Sequence, residues 1–495
     1  MGRLFLFGIG GTGSRVIKSL TFLLAAGAKL NADKVIPIIV DPDRENGDLN
    51  RTLEILRLYT RIRQEAASEH SDFFRTNIQS LREMAEEDKE ERSQLSNGYK
   101  SEIDGTREGL FRDFIDYDNL LPSSQKMMDL LFGQRSLNES LEVGFKGHPN
   151  MGSVVLNQYK NSGDFRYFAQ NYRPEDRIFI ISSIFGGTGS AGFPLLVENI
   201  RQPEVSGLSN VRDMKEAKIG AITLLPYFGV EENRESAINK STFAGKARAA
   251  LRYYENNLNR KLNALYYIGD ERHKDYPNRE GRSEQKNDAH YVELVSALAV
   301  LNFMNIPDHK FGTKGSHAKE TSFREFGLRG DNPTSLNFEH FRNRESEMFE
   351  PLIRFAYATK YWREHLNSAV DQQAWSKGSG SRGSIALDRV FFGGDFYRND
   401  LMQFVNRWNE WLTELARNDR PFSPFRFDVR GLHDFISNVT QKSTGWFGGK
   451  PDWDFSNYDE HLNKAERHTN EQTPERKFMA LFSKATEDIV EKRIP

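Results

Sequence analysis

Two stretches of the chain are almost free of side chains: GIGGTG at Gly8 to Gly13 and GGTGSAG at Gly186 to Gly192. Each lies between an apolar run that reads as a strand and a run with helical spacing. Glycine accepts positive φ and lets backbone N–H groups approach an anion closely, and a helix beginning there adds about half a positive charge. The chemistry that such turns serve is phosphate binding. The first turn also satisfies G-x-G-x-x-G, with Asp41 at the end of the next strand placed to bond a ribose, which alone favours NAD or FAD. A dinucleotide enzyme, however, has no use for a second such turn far downstream, flanked by equally apolar sequence.

Other chemistries are excluded by what is missing. No G-x-x-x-x-G-K-[ST] occurs, so the lysine that a P-loop places on the β/γ-phosphates is absent. Ser190 does not sit in the G-x-S-x-G register of a nucleophile elbow. With no cysteine there are no disulfides, thiolate nucleophiles or Cys-based zinc sites, and the expected compartment is the cytoplasm. A formal charge of −2 leaves no electrostatic footprint for nucleic acid. The apolar N-terminus is interrupted by glycines and by Arg15 and Lys18, so it reads as strand, turn and helix and not as a signal peptide. Leu6 stands where a myristoylation signal requires Ser or Thr. No stretch reaches the roughly 20 apolar residues of a membrane span, so no membrane insertion is expected.

The elements that must position these turns are those of an α/β fold. RLFLFGIG, SRVIKSLTFLLAAG and KVIPIIVDPD form a βαβ unit. The rhythm returns from Val143, through IFIISSIF, AKIGAITLLPYF and LNALYYIGD, with helices between. Such alternation predicts a Rossmann-like parallel sheet with helices on both faces. Residues 44–142 read as a charged helical insertion. A nucleotide-binding domain is expected over 1–310 and a helix-rich C-terminal domain over 311–495, where SIALDRVFFGG reads as one strand. Trp408, Trp411, Leu412 and Leu415 recur at helical spacing and are assigned to core. Lys240, Lys246, Arg248, Arg252, Arg260 and Lys261 form a basic, solvated helix face.

DRIFIISSIFGGTGSAGFPLLVENI resembles the GGGTGSG segment of the tubulin/FtsZ superfamily, with Phe185 in place of the first glycine and Ala191 before the last. The resemblance implies a tubulin/FtsZ-like GTPase domain in which Gly186, Gly187, Thr188, Gly189 and Ser190 wrap the phosphates, and Gly10, Gly11 and Thr12 lie against the α/β-phosphates. Three further segments fall in the family's order. VDPD resembles the acidic strand end, Asp41 facing ribose or α-phosphate and Asp43 the magnesium or its water. KGHPNMG is similar to the γ-phosphate loop, with Gly147 and Gly152 in its glycine positions. PYFGVEENR is similar to the loop in which Glu231 would bond the ribose and Arg234 the nucleotide edge. Asn287 and Asp288 resemble the base-reading pair, although Glu284 replaces the usual aromatic. Arg15 occupies the position of a base-reading Asn, and guanine is the better match while adenine stays open.

What the resemblance implies for function is binding of GTP or GDP with Mg2+, and head-to-tail self-association into filaments. Hydrolysis would occur at the subunit contact, with Asn305 and Asp308 as the counterparts of the catalytic loop after the central helix. A second expectation is a nucleotide-binding switch or scaffold that does not polymerise and holds a partner protein through its C-terminal helices. A dinucleotide-dependent oxidoreductase is the third.

Overall fold

The computed structural model describes all residues except 1, 44, 107–108, 146–147, 204, 206, 232–239, 271–274, 277–285, 315–316, 319, 326–332, 342, 380–383, 433, 437–453 and 494–495. The chain opens with β1 (Leu4–Ile9), α1 (Gly10–Ala25), β2 (Lys34–Val40) and α2 (Gly47–Ala66). Two short strands, β3 (Asn77–Ile78) and β4 (Lys100–Ser101), precede α3 (Pro149–Leu156), β5 (Arg177–Ser183) and α4 (Gly187–Arg201). Then come β6 (Lys218–Leu224), α5 (Lys240–Leu258), β7 (Ala264–Ile268), α6 (Tyr291–Met304) and β8 (Ser322–Glu325). The principal C-terminal helices are α7 (Asn343–Glu364), α8 (Met402–Ala416), α9 (Phe455–Glu466) and α10 (Pro474–Arg493).

The sheet is parallel throughout, in the order β8-β7-β6-β5-β1-β2-β3, with β4 also pairing β2. Its central strands are apolar along their whole length because both faces are covered. Successive side chains alternate between two cores: Leu4 and Leu6 face α1, α2, α6 and the C-terminal helices, and Phe5, Phe7 and Ile9 face α3, α4 and α5. Register decides what lies at the carboxyl edge. Gly8 pairs with both Ile39 and Ile181, and Ser183 with Leu224, so the turns after β1, β2, β5 and β6 leave the sheet side by side.

Three expectations about organisation change. Residues 44–142 are not set apart: α2 buries Leu49, Ile55, Leu56, Tyr59 and Ile62 in the main core, and β3 and β4 extend the sheet beside β2. The sheet does not stop at 310, because β8 pairs with β7, and the C-terminal helices share its core. Phe22 of α1 packs its ring against Phe404, Trp408 and Trp411, with both tryptophans buried as expected. SIALDRVFFGG forms no strand; Asp388 accepts from the Val390 and Phe391 amides and starts a short helix, Arg389–Gly393. Among the described residues, no helix is long and apolar enough to cross a membrane.

Candidate functional site

The two glycine turns meet. Gly10 has φ +73°, a conformation that suits glycine, and a Cβ on it would lie 3.3 Å from the Thr188 Cβ and 3.7 Å from the Gly189 nitrogen. α1 begins at Gly10 and α4 at Gly187, and neither helix has a side-chain cap or an acidic residue in its first turn. The first N–H groups of a helix have no intrahelical acceptor, so two uncapped positive ends open at one place on the sheet's carboxyl edge. The glycines divide by task. A Cβ on Gly13 would come within 2.6 Å of the Gly8 carbonyl carbon, and one on Gly189 within 2.7 Å of the Ser183 oxygen, so both permit close packing. Gly11 meets only the end of the Asn46 side chain, at 3.3 Å, and Gly186 only the Ser183 hydroxyl, at 3.0 Å.

Two more loops close on Thr188. A Cβ on Gly144 would lie 3.9 Å from the Thr188 hydroxyl and 4.0 Å from Pro42. Beside Pro42, the Asp41 carboxylate accepts the Asp43 amide at 3.1 Å, the Asp43 carboxylate accepts the Glu45 amide at 3.0 Å, and the Lys100 ammonium donates to the Asp43 carbonyl at 3.1 Å. Burial, and then the nearby Asp43 charge, push the Asp41 carboxyl up to about 7; Lys100 and the Asp43 amide oppose them. Thr12 and Thr188 are half-buried.

Some expected phosphate ligands have other tasks. The Gly152 amide donates to the His148 carbonyl at the start of α3, and a Cβ on Gly152 would lie 3.0 Å from the Gly187 oxygen and 2.9 Å from the Phe145 ring, so this glycine serves packing. The Ser190 amide and hydroxyl both donate to the Gly186 carbonyl, at 3.2 and 2.5 Å, closing the first turn of α4. Glu231 is exposed; Gly147 and Arg234 lie outside the described residues.

At the other end of the site the structure brings Arg15, Asn287 and Asp288 together with Tyr227, Phe228, His290 and Asn418 around one small cavity. Arg15 is turned to the interior and is not an open base reader: it pairs with Glu293 at 2.5 Å and donates to the Asp288 carbonyl at 2.7 Å. Arg51 bonds Asp48 at 2.6 Å and Glu414 at 2.5 Å, Lys18 faces Glu414 at 3.7 Å, and the Tyr227 hydroxyl donates to Glu293 at 3.0 Å. Arg15, Lys18 and Arg51 thus balance Asp48, Glu293 and Glu414 in a dry region, where unpaired charges would be costly. Burial works against the charge on Arg15, yet Glu293, Tyr227, Asp48 and Glu414 together hold it more firmly protonated than usual. Burial lowers Lys18 and raises Glu293, against the pull of Glu414 and Arg15 respectively. His290 is pushed down to about 3 by burial and then by Arg15 and Arg420; its Nδ1 accepts the Val292 amide, so the ring is neutral.

Tyr227, Phe228, Asp48, Arg51, Glu293, Glu414 and Asn418 were not foreseen from sequence. One signal was present: Arg15 and Lys18 sit three apart in an apolar helix and Glu293 is the lone acid of another, so each must find a distant partner.

Asn305 and Asp308 lie elsewhere. α6 runs about 21 Å from 14 residues at 1.5 Å each, from His290 beside the cavity to the amino edge of the sheet. There Asp308 pairs with Arg177 at 2.7 Å and Lys218 at 3.1 Å, the first residues of β5 and β6. Its partial burial, which would raise its pKa, is outweighed by those two cations, and the carboxyl is held below its ordinary value. Asn305 is exposed at the end of α6, and Arg177 also donates to the Phe303, Met304 and Ile306 carbonyls there.

No family model matches the chain, and no curated protein matches it in sequence. Solved structures are similar at a distance. CetZ2 from Haloferax volcanii, a GTPγS-bound protofilament, aligns with a TM-score of 0.30 at 13% identity, covering 64% of this chain and 61% of that one. CetZ from Methanosaeta thermophila strain DSM 6194 aligns with a TM-score of 0.24 at 14% identity, covering 61% and 52%. The chain therefore spans less than two thirds of the length of either.

Proposed function

We propose that this is a distant tubulin/FtsZ-like protein of the cytoplasm that binds GTP with Mg2+ and assembles head to tail. The observation that carries the proposal is the contact of Gly10 with Thr188 and Gly189, which sets two uncapped helix N-termini around one space. Gly10 to Thr12 and Gly187 to Gly189 present backbone N–H groups to the phosphates, and Thr188 adds a hydroxyl. Asp41 and Asp43 are the carboxylates that would hold Mg2+, which usually takes one or two carboxylates plus phosphate oxygens. A buried Asp41 that gains protons so readily is suited to a cation neighbour. The cation supplies charge neutralisation across the phosphates.

Asp308 and Asn305 sit at the edge of the sheet opposite the glycine turns, so within one chain they cannot reach the phosphates. In a head-to-tail stack the amino edge of one copy covers the carboxyl edge of the next, a heterologous contact that propagates. Asp308 would then orient water in the neighbour's site, and hydrolysis would await assembly. A second reading, a nucleotide switch that does not assemble and holds a partner through its C-terminal helices, is favoured by one observation: both Asp308 oxygens are already paired with cations. Light scattering after addition of GTP and Mg2+ separates the two. A GTP-dependent rise above a critical protein concentration is expected; a flat trace across a wide concentration range, with GTP bound, would reject assembly.

A further inference from the structure

The C-terminal region reaches the small cavity around Asn287 and Asp288 through one short segment, Glu414 to Asn418. The Glu414 carboxylate accepts the Ala289 amide at 2.9 Å, and the Asn418 side-chain amide donates to the Ala289 carbonyl. The Arg417 guanidinium donates to the Asp288 carboxylate at 3.3 Å. Both backbone groups of Ala289 and one carboxylate oxygen of Asp288 are therefore held by residues more than a hundred positions away. From the opposite side, Arg15 holds the Asp288 carbonyl at 2.7 Å and Arg51 the Asn287 carbonyl at 2.8 Å. Asn418 itself lines the cavity with Asn287 and Asp288.

A carboxylate only accepts hydrogen bonds, whereas guanine offers two donors on one edge, N1–H and the N2 amine; adenine has an acceptor at N1. The carboxylate discriminates only if its free oxygen is aimed. Arg417, spending a donor on Oδ1 at 3.3 Å, leaves the other oxygen for the base and restrains the rotation of the group. The geometry points to Arg417 as a positioning residue for guanine selectivity, so that the C-terminal helical region completes the nucleotide site. This rests on the GTP-binding reading above.

The test is competition of GTP, ITP, ATP and inorganic tripolyphosphate against a fluorescent guanine nucleotide, on the full chain and on Arg417→Gln, an exposed position. The wild type is expected to prefer GTP over ITP, which lacks the N2 amine, by roughly tenfold or more, the value of a hydrogen bond to a charged group. Arg417→Gln is expected to bring that ratio near unity while tripolyphosphate competes unchanged, and Arg417→Lys to restore it in part. Asp288→Ala should abolish the preference and make the Arg417 change silent. A wild-type preference that survives in Arg417→Gln overturns this inference alone. A chain that binds no purine nucleotide overturns it together with the function on which it rests.

Discussion

Around Gly10 and Thr188 the molecule offers backbone: two helix starts without caps, glycines in contact, and few side chains. Around Arg15, a short way along α1, it offers the reverse, a buried set of cations and acids drawn from α1, α2, α6 and α8. The first region is suited to a ligand whose charge comes from outside the chain. The second is already neutral within itself and suited to holding elements in place. Arg15 thus belongs to the scaffold, and under the proposed function it is the turn that this scaffold supports, Asn287 to Ala289, that would face the base.

The largest effect expected from this contrast is on stability. Glu414→Ala removes the carboxylate shared by Arg51 and Lys18 and the acceptor of the Ala289 amide. Breaking a buried pair from one side costs about 3–5 kcal/mol. Chemical denaturation should register that loss, whereas a change below about 1 kcal/mol, the worth of an exposed pair, would mean that the network is not structural.

The contrast also explains what sequence alone could reveal. A glycine turn between strand and helix is a local pattern, and Gly10 and Gly187 are legible because everything they need is within a few residues. That Gly10 meets Thr188 and Gly189 depends on β5 lying beside β1, a register no local pattern records. The partners of Arg15 are further removed still: Asp48, Glu293 and Glu414 come from three other helices. Periodicity misassigned residues 384–394 as a strand because a single capping residue, Asp388, outweighed the β-branched and aromatic neighbours. Helix-rich composition, likewise, says nothing about which core the C-terminal helices enter, and they share that of the sheet.

A smaller effect distinguishes the acidic edge of the cradle. With no cation bound, burial and the Asp43 charge raise the Asp41 carboxyl from its ordinary value of 3.8 to about 7, so the folded state holds its proton more tightly than the unfolded chain does. Stability from this group is complete below the unfolded value and is lost as pH rises from about 4 to 7, by a few kcal/mol at most. Asp41→Asn should flatten that part of the stability profile and raise stability above pH 7 without Mg2+. Parallel profiles for the two proteins would remove Asp41 as the cause.

The smallest expected change in the fold is at Gly11, and for that reason it isolates the cradle from the scaffold. Unlike Gly13 and Gly189, whose added Cβ would strike backbone, Gly11 faces only the amide end of Asn46 at 3.3 Å, a side chain that also caps α2 through the Asp48 and Leu49 amides. Gly11→Ala should therefore alter stability by no more than about 1 kcal/mol, since alanine favours a helix start that the added methyl crowds. A methyl there would also stand in the uncapped first turn of α1, whose amides the proposed function assigns to the phosphates. Nucleotide affinity should fall by about tenfold or more, the loss expected when close approach of an anion to backbone donors is prevented. Calorimetric titration of GTP reads the affinity, and chemical denaturation without nucleotide reads the stability. Unaltered affinity with unaltered stability would place the phosphates away from α1, and the contact between the two turns would then be packing alone.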